Sequence, residues 1–359
     1  MGKLAVYKYV AMMFLVIQIV VSVFTIVALF GGDVTPVGDV TPVGNTARAM
    51  LVYVLPLLIV VNILLVFYWL IRRRWFIGIL PIVTVACCIP YIGTLFQPGI
   101  FNNSEEGNKG GLKIATYNVA MFGRETSGFK AQDILAEMRR QNVDVLCMQE
   151  YNDVSGDKKN SDSYREYFPY MATGRSDMVI YSRYPITKQH TMLFEETNNS
   201  AMWADIDVKG YEFRVFNVHL ETTGINGTLH QAGKMMAKNY DVSTNRLLSA
   251  IYGNYMMGMY FRAGQAIQIA NEKRESPHPI ILCGDFNDIP YSFVYKTMLG
   301  DMVDGFKECG KGWMYTFRGG KKAVRIDYIF HDASIKGIDY YRTDLTYSDH
   351  FPVFMKIAI

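Results

Sequence analysis

The chain has 359 residues, half of them hydrophobic, with 36 Lys plus Arg against 33 Asp plus Glu. Residues 1–109 hold seven of the basic and four of the acidic side chains, so residues 110–359 carry 29 of each sign. That balance excludes a general basic field for gripping nucleic acid, and five scattered cysteines do not make a disulfide framework.

The charge-free runs Tyr9–Phe30, Ala49–Ile71 and Trp75–Gln97 are each long enough to cross a bilayer. The first is too long for the apolar part of a cleaved signal peptide, and no clear small-residue cleavage site follows it. Residues 1–97 are therefore expected to be a membrane anchor of three transmembrane helices, at about 9–30, 49–71 and 75–97. Lys3, Lys8 and Arg72–Arg74 belong on the cytoplasmic side by the positive-inside rule. Three crossings then put everything after the anchor outside, in the periplasm of a bacterium with two membranes. The tandem Asp-Val-Thr-Pro-Val-Gly at Asp33–Gly44 reads as a loop duplication, since two copies are too few for a repeat fold. Residues 98–111, rich in Gly, Asn, Ser and Glu, read as a flexible linker. It reaches at most about 46 Å when extended, which would hold the following domain close to the membrane.

From Leu112 the pattern changes to strands alternating with helices, which indicates an α/β domain over 112–359. Strands are expected at Lys113–Val119, Val143–Gln149, Met178–Ser182, Met202–Val208, Phe213–Leu220, Ile280–Cys283, Arg325–Phe330 and Val353–Ile357. A helix is expected at Lys130–Gln141. Thr222–Ser276 interrupts the strands with a long helical or irregular stretch. Within it, the Met-rich Asn254–Phe261 reads as a core helix, with a lipid-touching surface as the alternative.

Polar groups gather where the strands stop. Asn118 ends one, Glu150 ends the next, and Asn217 and His219 lie two apart on one face of a third. The apolar run Ile280–Cys283 stops in Gly284 and then offers Asp285, Asn287 and Asp288. Arg325 and Asp327 open a later strand, and Asp349 and His350 precede the last. Carboxylates and amides suit a hard divalent cation, and adjacent histidines suit phosphate contact and proton transfer. Together they are chemistry for phosphoester hydrolysis. Cys147 and Cys283 read as core residues, and His190, His230, His278 and His331 as surface residues.

The ordered series TYN, MQE, SRYP, NVHL, GDFND, TF, RIDYIF and SDHFPV, across about Leu112–Ile359, resembles the endonuclease/exonuclease/phosphatase superfamily. The resemblance implies a four-layer α/β/β/α sandwich with the site at one end of the paired sheets. It implies Mg²⁺, with Mn²⁺ as a possible substitute, held by Glu150 as main ligand with Asn118 and Asp349. Asp285 would activate the attacking water, and Asn287 would contact phosphate and water. His219 would contact the phosphate beside Asn217. His350, oriented by Asp327, would stabilise the transition state, and Arg325 would be structural. The expected substrate is a phosphoester, either nucleic acid or a lipid or small phosphate ester. The other partner is the lipid bilayer, and no obligate protein partner is inferred. The alternatives are a catalytically inactive phosphate- or membrane-binding module and a transporter. The intact polar set speaks against the first, and spans without charged residues speak against the second.

Overall fold

A computed structural model of the chain describes residues 3–30, 46–99, 110–120, 131–151, 158–175, 177–195, 197–238, 243–319 and 323–359. The tandem hexapeptide and most of the expected linker lie outside the described residues. The chain divides into two compact units: Met1–Thr94 with Pro290–Lys296, and Leu95–Ile289 with Thr297–Ile359.

The first unit is built on α1 (Lys3–Leu29), α2 (Thr46–Ile71), α3 (Trp75–Cys87) and the single turn α4 (Ile89–Ile92). Its helices are apolar all round, so they hold together through small polar groups instead of a polar-versus-apolar division. Ser22 Oγ donates to Asn62 Oδ1 at 3.0 Å, and Asn62 Nδ2 donates to Thr25 Oγ1 at 2.8 Å, all three buried. Outward faces are apolar and exposed, as at Leu57 and Phe67. Two helices, over Tyr7–Leu29 and Met50–Ile71, are long and apolar enough to cross a membrane. The third expected span is corrected. Its helix has 13 residues and stops at Cys88, ahead of Pro90. Phe96 and Gln97, at the end of the expected span, are instead a strand, β1, in the second unit.

The second unit contains two six-stranded sheets. The first has the order β13 (Gly337–Arg342), β14 (Val353–Ala358), β2 (Gly111–Asn118), β3 (Val145–Gln149), β5 (Met178–Ser182), β4 (Tyr170–Thr173). The second has the order β10 (Val303–Asp304), β12 (Asp327–His331), β9 (Ile280–Asp285), β8 (Tyr211–His219), β7 (Ser200–Val208), β6 (Ile186–Leu193). β1 pairs with β11 (Gly312–Trp313).

Alternation along the strands explains the layering. Ile114, Val145 and Cys147 face Met202, Val215, Ile281 and Cys283 between the sheets. Ala115, Tyr117, Leu146 and Met148 face outward onto Ile134, Leu135 and Met138 of the helix Ala131–Arg140. Cys147 and Cys283 are fully buried core residues, and burial pushes the Cys147 thiol up. Strands at Tyr170–Thr173, Ile186–Leu193 and Gly337–Arg342 were not expected. Ile186–Leu193 is a largely exposed edge strand, so no inward apolar alternation marks it.

Gly284 is dictated by the neighbouring strand. It sits at φ 138, and a Cβ there would lie 2.0 Å from the Val218 carbonyl oxygen of β8. Backbone cannot yield as a flexible side chain can. Gly284→Ala is therefore expected to lower the melting temperature by several degrees or more, whereas Gly253→Ala, in open space on a helix, should leave it unchanged or raise it. Equal melting curves for the two variants would contradict this reading of the β8–β9 contact.

Candidate active site

Strand direction brings the polar ends together. β2 runs parallel to β3 and β8 parallel to β9, so Asn118, Glu150, His219 and Asp285 come to one edge. β12 and β14 run antiparallel to β9 and β2, so their starts, with Asp327 and the preceding His350, reach the same edge. Register does the rest within the second sheet. His219 and Asp327 are both partners of Asp285, giving a row of three across adjacent strands.

Asn118 closes the gap between the sheets. Its Nδ2 donates to Glu150 Oε1 and to Asp285 Oδ2, each at 3.0 Å. Glu150 and Asn287 have φ of 49 and 51, in the left-handed region that non-glycine residues seldom occupy. Such conformations collect at functional sites, where surrounding contacts impose them. Asn287 N donates to Asp285 Oδ1 at 2.9 Å, and its Nδ2 donates to the Leu220 carbonyl at 2.9 Å. The Asn287 turn therefore holds Asp285 and ties it to the segment after His219.

The two histidines flank this pair of carboxylates. His350 Nδ1 donates to Asp327 Oδ2 at 2.9 Å, leaving Nε2 3.6 Å from Asp285 Oδ2. Asp327 is itself placed by Thr316, whose Oγ1 accepts from the Ile326 and Asp327 N–H groups at 3.0 Å. His219 Nε2 lies 3.8 Å from Glu150 Oε1 and 4.0 Å from Asp285 Oδ2, and Asp177 Oδ2 lies 3.5 Å from its Nδ1. Burial opposes the charged form of His350, but Asp327 and Asp285 outweigh it and push the imidazole up to about 10. His219 is also raised, against burial, by Asp177, Asp285 and Glu150. Burial raises Asp285, with His350 opposing. The site thus gathers acidic groups and holds both histidines ready to be protonated.

Two groupings suit a cation. Asp285, Asp327 and His350 offer ligand atoms within 4.8 Å of one another. His350 Nδ1 is spent on Asp327 there, so only Nε2 remains. The second set, Glu150 and Asp285, offers carboxylate oxygens, as a hard divalent ion prefers; the Asn118 Nδ2 bridges them while its Oδ1 accepts from Ala120 N. A carboxylate raised by burial, next to a second carboxylate on the same amide, is the electrostatic setting a cation relieves.

Asn217 requires a correction. It is fully buried, both its amide hydrogens go to the Met148 and Val179 carbonyls at 2.9 Å, and its Oδ1 accepts from Gln149 Nε2 at 2.6 Å. It ties the two sheets together beneath the site and has no donor left for a substrate. Gln149, which also donates to Thr116 Oγ1 at 3.0 Å, was passed over by the sequence reading, as was Asp177. The signal for Asp177 is an Asp directly before the strand Met178–Ser182. Asp349 Oδ1 lies 3.4 Å from Ser348 Oγ, Arg318 N donates to its carbonyl, and its charge adds to those that raise His350. Arg325 is structural: it is buried, and it donates two hydrogen bonds to Asp304 at 2.8 and 2.6 Å. His331 is a further correction. It is buried, with Nε2 2.8 Å from Glu308 Oε2. The His230 side chain lies outside the described residues.

Two packed sheets with carboxylates, amides and histidines at one edge define a phosphoesterase-type α/β sandwich. The model of the endonuclease/exonuclease/phosphatase family matches residues 115–350, and the chain belongs to that family, whose members hydrolyse phosphoester bonds. A second family model, a domain of unknown function (DUF8431), matches residues 11–95. Among solved structures, the chain is similar to an endonuclease/exonuclease/phosphatase from Beutenbergia cavernae. The two share 16% identity over 70% of this chain and 72% of that one, with a TM-score of 0.51. A Bacteroides vulgatus protein of the same description shares 17% identity over 70% of this chain and all of that one, with a TM-score of 0.50. A mannosyl-6-phosphatase from Bacteroides thetaiotaomicron shares 19% identity over 69% of this chain and all of that one, with a TM-score of 0.47. No curated protein matches the chain.

Proposed function

We propose that the protein is a membrane-tethered, divalent-metal-dependent phosphoesterase. The observation that carries this is the convergence of Asn118, Glu150, His219, Asp285 and the His350–Asp327 pair at one sheet edge. Mg²⁺ or Mn²⁺, held by Glu150 as main ligand with Asn118 and Asp349 as further candidate ligands, would withdraw charge from the phosphoryl oxygens. Asp285 takes a proton from the attacking water, and Asn287 holds its carboxylate in place. His219 contacts the phosphate. His350, charged and oriented by Asp327, donates to the negative charge that develops in the transition state. The neutral balance of residues 110–359 favours a lipid or small phosphoester over duplex nucleic acid, because duplex binding relies on many Lys and Arg contacts to phosphate.

The test is a panel of substrates on the full chain in detergent: plasmid DNA, RNA, sphingomyelin, phosphatidylinositol phosphates and an artificial diester. At least one should be hydrolysed with added Mg²⁺, and a chelator should abolish the activity. Hydrolysis that persists in chelator, or no hydrolysis of any member, would overturn the reading.

The exposed apolar faces of α1 and α2 support the tether. Sidedness follows from the third apolar segment. Trp75–Ile92 is 18 residues without charge, folded as a 13-residue helix and, after the break at Cys88, one further turn; the helix alone rises about 20 Å, so a crossing of the roughly 30 Å hydrocarbon core uses that turn as well. A crossing there sets the catalytic unit opposite Arg72–Arg74, outside the cell membrane. A reporter enzyme fused after Ile359 should then be active only outside. Activity confined to the cytoplasm would mean that this segment does not cross.

A further inference from the structure

A second exposed apolar surface lies on the helices Ile225–Ala237 and Thr244–Arg274. Leu248, Tyr252, Met256 and Tyr260 follow one another at four-residue spacing and form one ridge. They are 58, 41, 39 and 45% exposed, Met257 beside them is 56% exposed, and Met236 on the preceding helix is 52% exposed. Tyr255, Met259, Ala263, Ala266 and Ile269, most of them farther along the same helix, are buried. The domain's own core therefore covers the later turns of the helix and leaves these earlier apolar turns exposed. The two helices are joined by Asn254 Nδ2 donating to Thr228 Oγ1 at 2.6 Å.

The charges along the two helices and their connection are mostly basic. Lys234, Lys238 and Arg246 are exposed, and Asp241 is the only acidic residue between Ile225 and Arg262. An apolar ridge with a basic border is the composition of an interfacial helix on anionic lipid. The buried half of the same helix holds the active-site loops. Gln265 Oε1 accepts from Glu221 N at 2.9 Å, and Arg262 donates to the Glu221 carbonyl at 3.1 Å and to Asp288 Oδ2 at 3.4 Å. These contacts fix the segments that follow His219 and Asp285.

We propose that this helical pair is an interfacial surface that seats on a phospholipid bilayer. The Leu248–Tyr260 ridge lies at the headgroup–acyl boundary, and Lys234, Lys238 and Arg246 lie on anionic headgroups. The proposal rests on the reading of the chain as membrane-tethered, and it deepens that reading by giving the catalytic domain its own lipid contact. Lipid is the occupant the observations favour for two reasons. The same chain carries two helices long and apolar enough to cross a membrane, so a bilayer would be present at high effective concentration. A two-fold contact between copies would bring the basic borders together, where like charges repel.

The test uses the full chain with Met257→Trp, reconstituted in vesicles of phosphatidylcholine and phosphatidylglycerol. The parent protein, with its four tryptophans, supplies the background to subtract. Lipid brominated near the glycerol end of the acyl chain should remove most of the added emission, and aqueous iodide should remove little. Adding Leu248→Asp and Tyr252→Asp should reverse that pattern while the parent emission stays unchanged. Quenching of the introduced tryptophan by iodide and not by bromolipid would overturn the proposal. So would shielding from both quenchers that grows with protein density, because a second copy would then cover the ridge. The readout is fluorescence, so its failure leaves phosphoester hydrolysis standing, and loss of hydrolysis leaves the lipid contact standing.

Discussion

Asp285→Asn is expected to lower kcat by about 10²–10⁴-fold, the usual worth of a positioned general base, while KM changes little. The loss falls on kcat because the proton moves only as the water attacks, so ground-state binding does not depend on it. The substitution is nearly isosteric, and the amide oxygen can still accept from Asn118 or from the Asn287 N–H. The fold should therefore survive, and the sign of the stability change can be stated. Burial raises Asp285 above its ordinary value. A carboxyl raised in the folded state costs stability once pH exceeds its unfolded value, because folding then disfavours the charged form. In chelator near neutral pH the variant should melt at the same temperature as the parent or higher. Unchanged turnover of whichever phosphoester the panel identifies would remove Asp285 from the chemistry. A lower melting temperature in chelator would show that its charge supports the fold.

His350→Ala is expected to cost a similar factor, about 10²–10⁴-fold, and Asp327→Asn less. In the double variant Asp327→Asn should add little, because the two side chains act as one unit through the 2.9 Å contact. A purely structural Asp327 would give losses that multiply, and that result would reassign it to the fold beside Thr316 and Arg325. The pH profile supplies a second readout. Asp327 helps to hold His350 in its charged form, so Asp327→Asn lowers the pH at which the proton is lost. If the charged imidazole is the active form, the alkaline limb of kcat/KM should move to lower pH in Asp327→Asn while the acid limb stays in place. A profile that scales down without shifting would argue against orientation and charge support by Asp327.

Much of the catalytic unit was legible because strands leave a two-residue period and abrupt ends. The apolar run Ile280–Cys283 stopping in Gly284-Asp285 marked both a buried strand and a site edge. Glu150, at a strand end, stood out in the same way. The edge strand Ile186–Leu193 left no such mark, since its exposure removes the pressure for apolar alternation. The membrane part was legible as apolar runs but not as helix lengths. Composition reads through Cys88, Pro90 and Gly93, whereas the backbone turns there, and Phe96 leaves to pair with Trp313.

By itself the sequence determined the order of the motifs, the kinds of group at each strand end and the neutral charge of residues 110–359. Those properties are local, and local spacing determines which face of a strand a side chain takes. Only the tertiary structure decided which of these groups touch. Asn118 and Asp285 are 167 residues apart, and their 3.0 Å contact exists because β2 and β9 bring their ends to one edge from different sheets. The same packing took Asn217 out of the site, since its partners Met148, Gln149 and Val179 belong to the facing sheet. It also brought in Asp177, whose distance from His219 depends on how the loop before β5 lies against the end of β8. Contacts between sheets follow from register and packing across the core, which no spacing along one strand encodes.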